Sequence, residues 1–288
     1  MKFMGMAYSR FRNMGYLLRK GKWRNAYAYL WSSLFTRDSG VALLDGLWRK
    51  FPGLTPYPEA LEIEVTTACH LRCPMCEHMY WKEPARHLTY EQFLRIMRQF
   101  PHLKWIGLTG IGSALLNPDF MRMIVYLKQR GVYIEFFDTF DLITEKVSAQ
   151  LIDCMVDKIW LSCEAVQAET YERIRQGASF EKMRRNVKTF LELKKRKSAV
   201  LPELWFHYII SKDNQDEIVP YVDFVAGMMR GVPQSAVLIY YTGMMDFVAS
   251  RHLASKGVEQ AVRDAVYSKA QTYGFYENWN ENLGPAQG

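Results

Sequence analysis

Cys69, Cys73 and Cys76 stand in the spacing C-x3-C-x2-C. Three thiolates this close in sequence can converge on one soft metal centre. Zinc would take a fourth ligand, which His70 or His78 could supply. A cubane 4Fe-4S cluster has four irons. Three cysteines would bind three of them and leave one open, a place for chemistry rather than electron storage alone. Simple packing is a poor account of these cysteines, because Arg72 and Pro74 interrupt the segment. Cys154 and Cys163 have no partner nearby in sequence and read as buried thiols.

The elements around this loop alternate between two periodicities. Residues 61–67 alternate with period two, as a strand does, and lead directly into Cys69. Thr89 with Gln92 makes a capping box, and Phe93, Ile96, Met97 and Phe100 then form one helical face. Further strands are predicted at 105–109, 133–137, 158–162, 204–210 and 236–240. Asn117 and Pro118 are expected to cap and open the helix that closes near Gly131, and Thr144 and Ser179 to start the next ones. A further helix is predicted over 217–228, with Ser211 to Asn214 as a cap before it. Strands alternating with helices imply a parallel sheet, since each crossover returns the chain in the same direction. The predicted fold class is α/β: a curved, partial (β/α)6 TIM-like barrel with an N-terminal helical arm. The cysteine loop then falls at the carboxyl end of the sheet, where such folds place their active sites.

Spacing and position together resemble the radical S-adenosylmethionine (radical SAM) enzymes, over roughly residues 61 to 241. The resemblance implies a 4Fe-4S cluster on Cys69, Cys73 and Cys76, with Met75 as the hydrophobic residue before the last cysteine. It implies that Gly110, Gly112 and Ser113 form the turn that meets the amino group of SAM, the glycines letting backbone approach the ligand. Ser113 stands where the family usually has Glu, and Ala114 where it has Pro. Ser162 and Glu164 match the family's Ser-x-Asp, facing the ribose and carboxylate of SAM. Arg175 would meet the SAM carboxylate, its alternative being a solvent-facing helix charge. The implied reaction is reductive cleavage of SAM to methionine and a 5′-deoxyadenosyl radical, which removes hydrogen from a peptide or small metabolite. An electron donor such as flavodoxin or ferredoxin is implied as partner. The general shape is that of the branch that often carries a C-terminal SPASM-type extension with auxiliary clusters, whose cysteines are not in this sequence. One cluster per chain is therefore expected. Two rivals from another class are a non-catalytic zinc-binding module and a pseudo-enzyme with a cluster but no productive SAM site.

Composition sets the outer limits. The 288 residues are 49% hydrophobic and 23% charged, which excludes disorder. The longest uncharged stretch, 231–245, is too short and too rich in Pro and Gly to span a bilayer. No signal peptide opens the sequence, and five cysteines are too few for a disulfide scaffold, so a cytoplasmic setting is expected. The net charge of +7 sits in residues 1–50, which hold ten Lys/Arg against two Asp. The rest is close to neutral, so no basic stripe marks a nucleic-acid binder. Three regions are expected: an arm over 1–58, the barrel over 59–245, and a helix with a linker-like tail over 246–288. The arm reads as accessory helices packed on the barrel. A peripheral membrane contact through residues 1–50 is not favoured, because the aromatics do not segregate to one face.

Overall fold

The structure is a computed structural model. It describes residues 60–101, 103–244, 253 and 257–280, and within the first 59 residues 14–15, 17–24, 26–27, 30, 43, 46–47 and 50–51. The expected arm and the tail beyond Asn280 thus lie largely outside the described residues. Of the arm's described residues, Leu17 and Ala26 are buried against Met155, Val200 and Leu201.

Seven strands form one sheet: β1 (Ala60–Glu62), β2 (Trp105–Gly107), β3 (Tyr133–Asp138), β4 (Lys158–Ser162), β5 (Glu203–Ile210), β6 (Leu238–Gly243) and β7 (Tyr276–Trp279). They lie in chain order, and every neighbouring pair is parallel. Helices α1 (Tyr90–Gln99), α2 (Phe120–Gln129), α3 (Glu145–Asp153), α4 (Ala168–Ile174), α5 (Phe180–Arg196), α6 (Ile218–Met229) and α7 (Gln260–Tyr273) make the crossovers. Right-handed crossovers in strict order put every helix on the same face, and the sheet curls away from them into an open barrel. Alternation along the strands then separates two cores. Ile134, Phe136, Ile159, Leu161, Leu204 and Phe206 are fully buried toward the helices. Their neighbours face the concave side. There Phe137 stacks on Trp160, Trp160 meets Trp205 edge-on, and Lys158 sits 3.6 Å from the Trp205 ring and 3.1 Å from Glu135.

Four local expectations are revised. A seventh strand extends the six expected. β7 follows α7, pairs with β6, and stacks Trp279 on Tyr241 at 4.3 Å. β1 is shorter than 61–67: Ile63 N still donates to Gly107 O of β2 at 2.9 Å, and from Val65 the chain pairs with residues 86–88 instead. Leu88 N donates to Val65 O at 2.9 Å, and Thr67 N to Arg86 O at 3.0 Å. Asn117 does not cap α2, whose N-cap is Asp119. Its carboxamide donates to Val65 O at 2.6 Å and Leu88 O at 2.9 Å, tying the turn after β2 to the cysteine strand. Ser211 and Asn214 build a turn rather than a cap, and the Asn214 amide donates to Glu164 O at 2.9 Å. The caps at Thr89, Thr144 and Ser179 stand as expected, each accepting from the third backbone N–H onward.

Candidate active site at the cysteine loop

The loop from Cys69 to Cys76 folds because half of it is apolar. Leu71, Cys73 and Met75 are buried with Ile174 of α4, and Cys69, Cys76, Ile209 and Met244 pack around them. Full burial of Leu71 and Met75 is worth roughly 1.5–3 kcal/mol each. Backbone bonds fix the path. Cys76 N donates to Cys73 O at 3.0 Å, and Arg72 N to Gln176 O at 2.9 Å. Leu71 N points at Cys69 Sγ at 3.4 Å. Gly177 adopts φ +94° beside the loop, where a Cβ would lie 3.4 Å from His70 O. Met75 also borders a cavity of about 220 Å3 shared with Pro74, Ile174 and Gln176.

Charge enters from the residue between Ile174 and Gln176, both of which touch the loop. Arg175, just after α4, donates from Nε to Glu164 Oε2 at 2.8 Å and from Nη2 to Glu164 Oε1. Its Nη1 lies 3.9 Å from Cys73 Sγ. Glu164 is fully buried and the Arg175 side chain is 11% exposed, so the solvent-facing alternative for Arg175 is overturned. Both carboxylate oxygens of Glu164 accept from Arg175 in this structure. Burial pushes the thiols of Cys69 and Cys73 up, and the Arg175 charge pulls both the other way. The site thus carries a cation where thiolates would form. Cys163 is fully buried, donates to Ala165 O at 3.4 Å, and is pushed up to about 12 by burial.

The glycine turn after β2 lies on the strand that leads to Cys69. A Cβ at Gly112 would stand 2.1 Å from Thr66 O and 2.8 Å from Ala68 O. Ser113 N donates to Ala68 O at 2.8 Å. The space these glycines leave at Cβ is taken by the protein itself, by the backbone of residues 66–68 at Gly112. At Gly110 the occupant is the side chain of Glu64, whose Oε1 accepts from Ile111 N at 2.6 Å. Sequence reasoning missed Glu64. The available signal was its shared face with Glu62, opposite the glycines of the next strand and turn.

Ser162 ends β4, buried, in register with His207 of β5. His207 stacks on Tyr240, meets Phe137 edge-on, and bonds Thr242 Oγ1 at 2.9 Å. Burial, with the Arg175 charge, pushes its pKa down to about 3, so this imidazole is neutral among the aromatic rings. The two histidines considered as zinc ligands differ. His78 Nε2 lies 3.0 Å from Thr67 O, whereas both ring nitrogens of His70 are buried without a partner, as is Asp141 Oδ2. Among the described residues no three His, Cys, Asp or Glu side chains converge as they would on a single ion. A cubane asks for less convergence, because each thiolate binds its own iron. No helix among the described residues is long and apolar enough to cross a membrane.

Comparison with known proteins gives three findings. The profile of the Radical SAM superfamily matches residues 63–225. The tungsten-containing aldehyde ferredoxin oxidoreductase cofactor-modifying protein of Pyrococcus furiosus is 27% identical over 203 residues, 65% of this chain and 56% of that protein. PqqA peptide cyclase of Granulibacter bethesdensis is 26% identical over 187 residues, 64% of this chain and 48% of that protein. The chain therefore spans about half the length of the curated relatives it matches. Among solved structures, Streptococcus suis SuiB bound to S-adenosylmethionine superposes with a TM-score of 0.63 at 14% identity, over 83% of this chain and 54% of that one. That likeness is one of fold.

Proposed function

The chain belongs to the radical SAM superfamily, and from that premise we propose that Cys69, Cys73 and Cys76 hold a 4Fe-4S cluster at which SAM is reductively cleaved to methionine and a 5′-deoxyadenosyl radical that abstracts hydrogen from a peptide. The observation that carries this reading is the cysteine loop itself. It is packed on apolar residues at the carboxyl ends of a parallel barrel, with the Arg175 guanidinium turned toward Cys73.

The residues present fit that group. Three thiols lie on one loop, a backbone N–H is turned to Cys69 Sγ, and a buried cation favours deprotonated sulfur at Cys73. Glu164 fixes the Arg175 guanidinium through two hydrogen bonds, so the cation stays in place as charge builds on the loop. Ser162, Met75 and the 110–113 turn are the further contacts we assign to SAM. The wall of Phe137, Trp160, His207 and Tyr240 keeps water from a reactive species, because it presents packed rings and a neutral imidazole. The kinship with PqqA peptide cyclase supports a peptide as substrate, and the probable GTP 3',8-cyclase of Archaeoglobus fulgidus, 25% identical over 174 residues, keeps a small metabolite as the second reading. Flavodoxin or ferredoxin is the fitting electron source, and the reducing cytoplasm the fitting compartment.

The test is anaerobic reconstitution followed by incubation with SAM and dithionite. About four iron and four acid-labile sulfide per chain are expected, with methionine and 5′-deoxyadenosine accumulating. A colourless protein carrying one zinc per chain would replace this reading with a zinc module. A brown protein that never cleaves SAM would replace it with a pseudo-enzyme.

A further inference from the structure

We propose that Glu64 is the side chain that receives the amino group of SAM, in a chain whose turn residue Ser113 brings only a hydroxyl. The proposal rests on the SAM reading given above. Glu64 lies five residues before Cys69, on the stretch that carries the chain from β1 to the cysteine loop. Its Oε1 accepts from Ile111 N at 2.6 Å, inside the glycine turn. Gly110 makes room for it, since a Cβ there would stand 2.3 Å from Oε1 and 2.5 Å from Cγ. The turn continues over Thr66 and Ala68 and ends with Ser113 N on Ala68 O. The carboxylate therefore sits where the turn and the cysteine strand join.

Its second oxygen has no partner among the described residues, and Glu64 is exposed, as are Glu62 and Glu77, while Glu164, Asp138 and Asp141 are buried. Glu164 spends both oxygens on Arg175. Asp138 is buried and accepts from Phe140 N at 2.5 Å. Asp141 is buried and accepts from Ser179 N at 3.5 Å. Glu64 alone of these offers an open, charged acceptor beside the turn. An alkylamine next to a carboxylate makes a charge-assisted hydrogen bond, roughly twice as strong as a neutral one. The contact with Ile111 does not require that charge, because a carboxamide oxygen would accept the same N–H. The charge is thus surplus to the structural contact and available to a ligand.

Glu64→Gln separates the two roles, since it keeps the acceptor for Ile111 and removes the charge. Three ligands are titrated by calorimetry into reconstituted wild-type and variant proteins of equal iron content. SAM has both a sulfonium and an amino group. S-adenosylhomocysteine keeps the amino group without the sulfonium. Methylthioadenosine has neither. The variant is expected to bind SAM and S-adenosylhomocysteine at least about tenfold more weakly and methylthioadenosine within about twofold of wild type. The electron paramagnetic resonance change that SAM produces in the reduced cluster should need correspondingly more SAM. Unchanged affinity for SAM would overturn the proposal. An equal loss for all three ligands would reduce Glu64 to a structural latch, and a loss confined to SAM would move its role to the sulfonium. Wild-type protein that binds no SAM would overturn the functional reading itself.

Discussion

Two glycines two residues apart make a sharp contrast. A Cβ at Gly112 would lie 2.1 Å from Thr66 O and 2.8 Å from both Thr66 C and Ala68 O, all backbone atoms. Optimal separations between non-bonded carbons are about 3.5–4.0 Å, so no side-chain rotation relieves this overlap. The turn must lift off residues 66–68, which breaks the Ser113 N to Ala68 O bond. One lost hydrogen bond, about 0.5–1.5 kcal/mol, added to overpacking of about 1–3 kcal/mol, gives about 2–4 kcal/mol for Gly112→Ala. For a chain of this length that corresponds to a Tm lower by roughly 3–7 °C. Residues 66–68 lead into Cys69, so reconstituted iron should fall as well. At Gly110 the clashing atoms belong to the Glu64 carboxylate, which can swing aside. Gly110→Ala should therefore cost about one hydrogen bond, about 0.5–1.5 kcal/mol, and keep its iron. Thermal melts by circular dichroism with iron assays on both variants decide the matter. If Gly112→Ala melts with the wild type and holds full iron, or if Gly110→Ala proves the more damaging, the close approach seen here does not exist.

Cys73→Ala, reconstituted anaerobically, should retain little iron, because losing one of three ligands prevents assembly coupled to the local fold; wild-type iron would refute the ligand assignment. Arg175→Met should destabilise by about 3–5 kcal/mol, because it strands the buried Glu164 charge, and adding Glu164→Gln should recover most of the loss; a urea-melt double-mutant cycle with a coupling near zero would refute the pairing. Burial pushes Asp138 from 3.8 up to about 7. Between those values the fold holds a proton the unfolded chain has released, so Asp138 makes stability fall as pH rises from about 4 to 7, by about 1.4 kcal/mol per unit. His207, lowered to about 3, has the opposite slope from about pH 3 to 6.5. Asp138→Asn keeps the Phe140 contact and removes only the first slope. The variant should therefore gain on wild type between pH 5 and 7.5 in urea melts, and a pH-independent difference would refute the burial argument.

The parts of this protein legible in its sequence are those governed by near neighbours. The cysteine spacing is a property of eight consecutive residues. The strands and helices follow from periods of two and 3.6, and caps such as Thr89 with Gln92 act over three residues. The strand order follows from the alternation of elements, because each helical crossover returns a parallel strand beside the last. Even there β1 ended early, because residues 86–88 competed for its backbone. What joins the site together had no such local signal. Glu64 meets Ile111 across 47 residues, Cys73 meets Arg175 across 102, and His207 meets Thr242 across 35. Arg175 and Glu164 are only 11 residues apart, yet their pairing needs α4 to bring the chain back over the end of β4. Which charge is buried, which carboxylate stays open and which glycine is crowded are set by the curl of the sheet, which chooses the face each side chain presents. Sequence periodicity assigns residues to alternating faces. Only the curved geometry of the open barrel decides which faces meet, because those contacts are made between segments distant in the chain and only after the strands have paired.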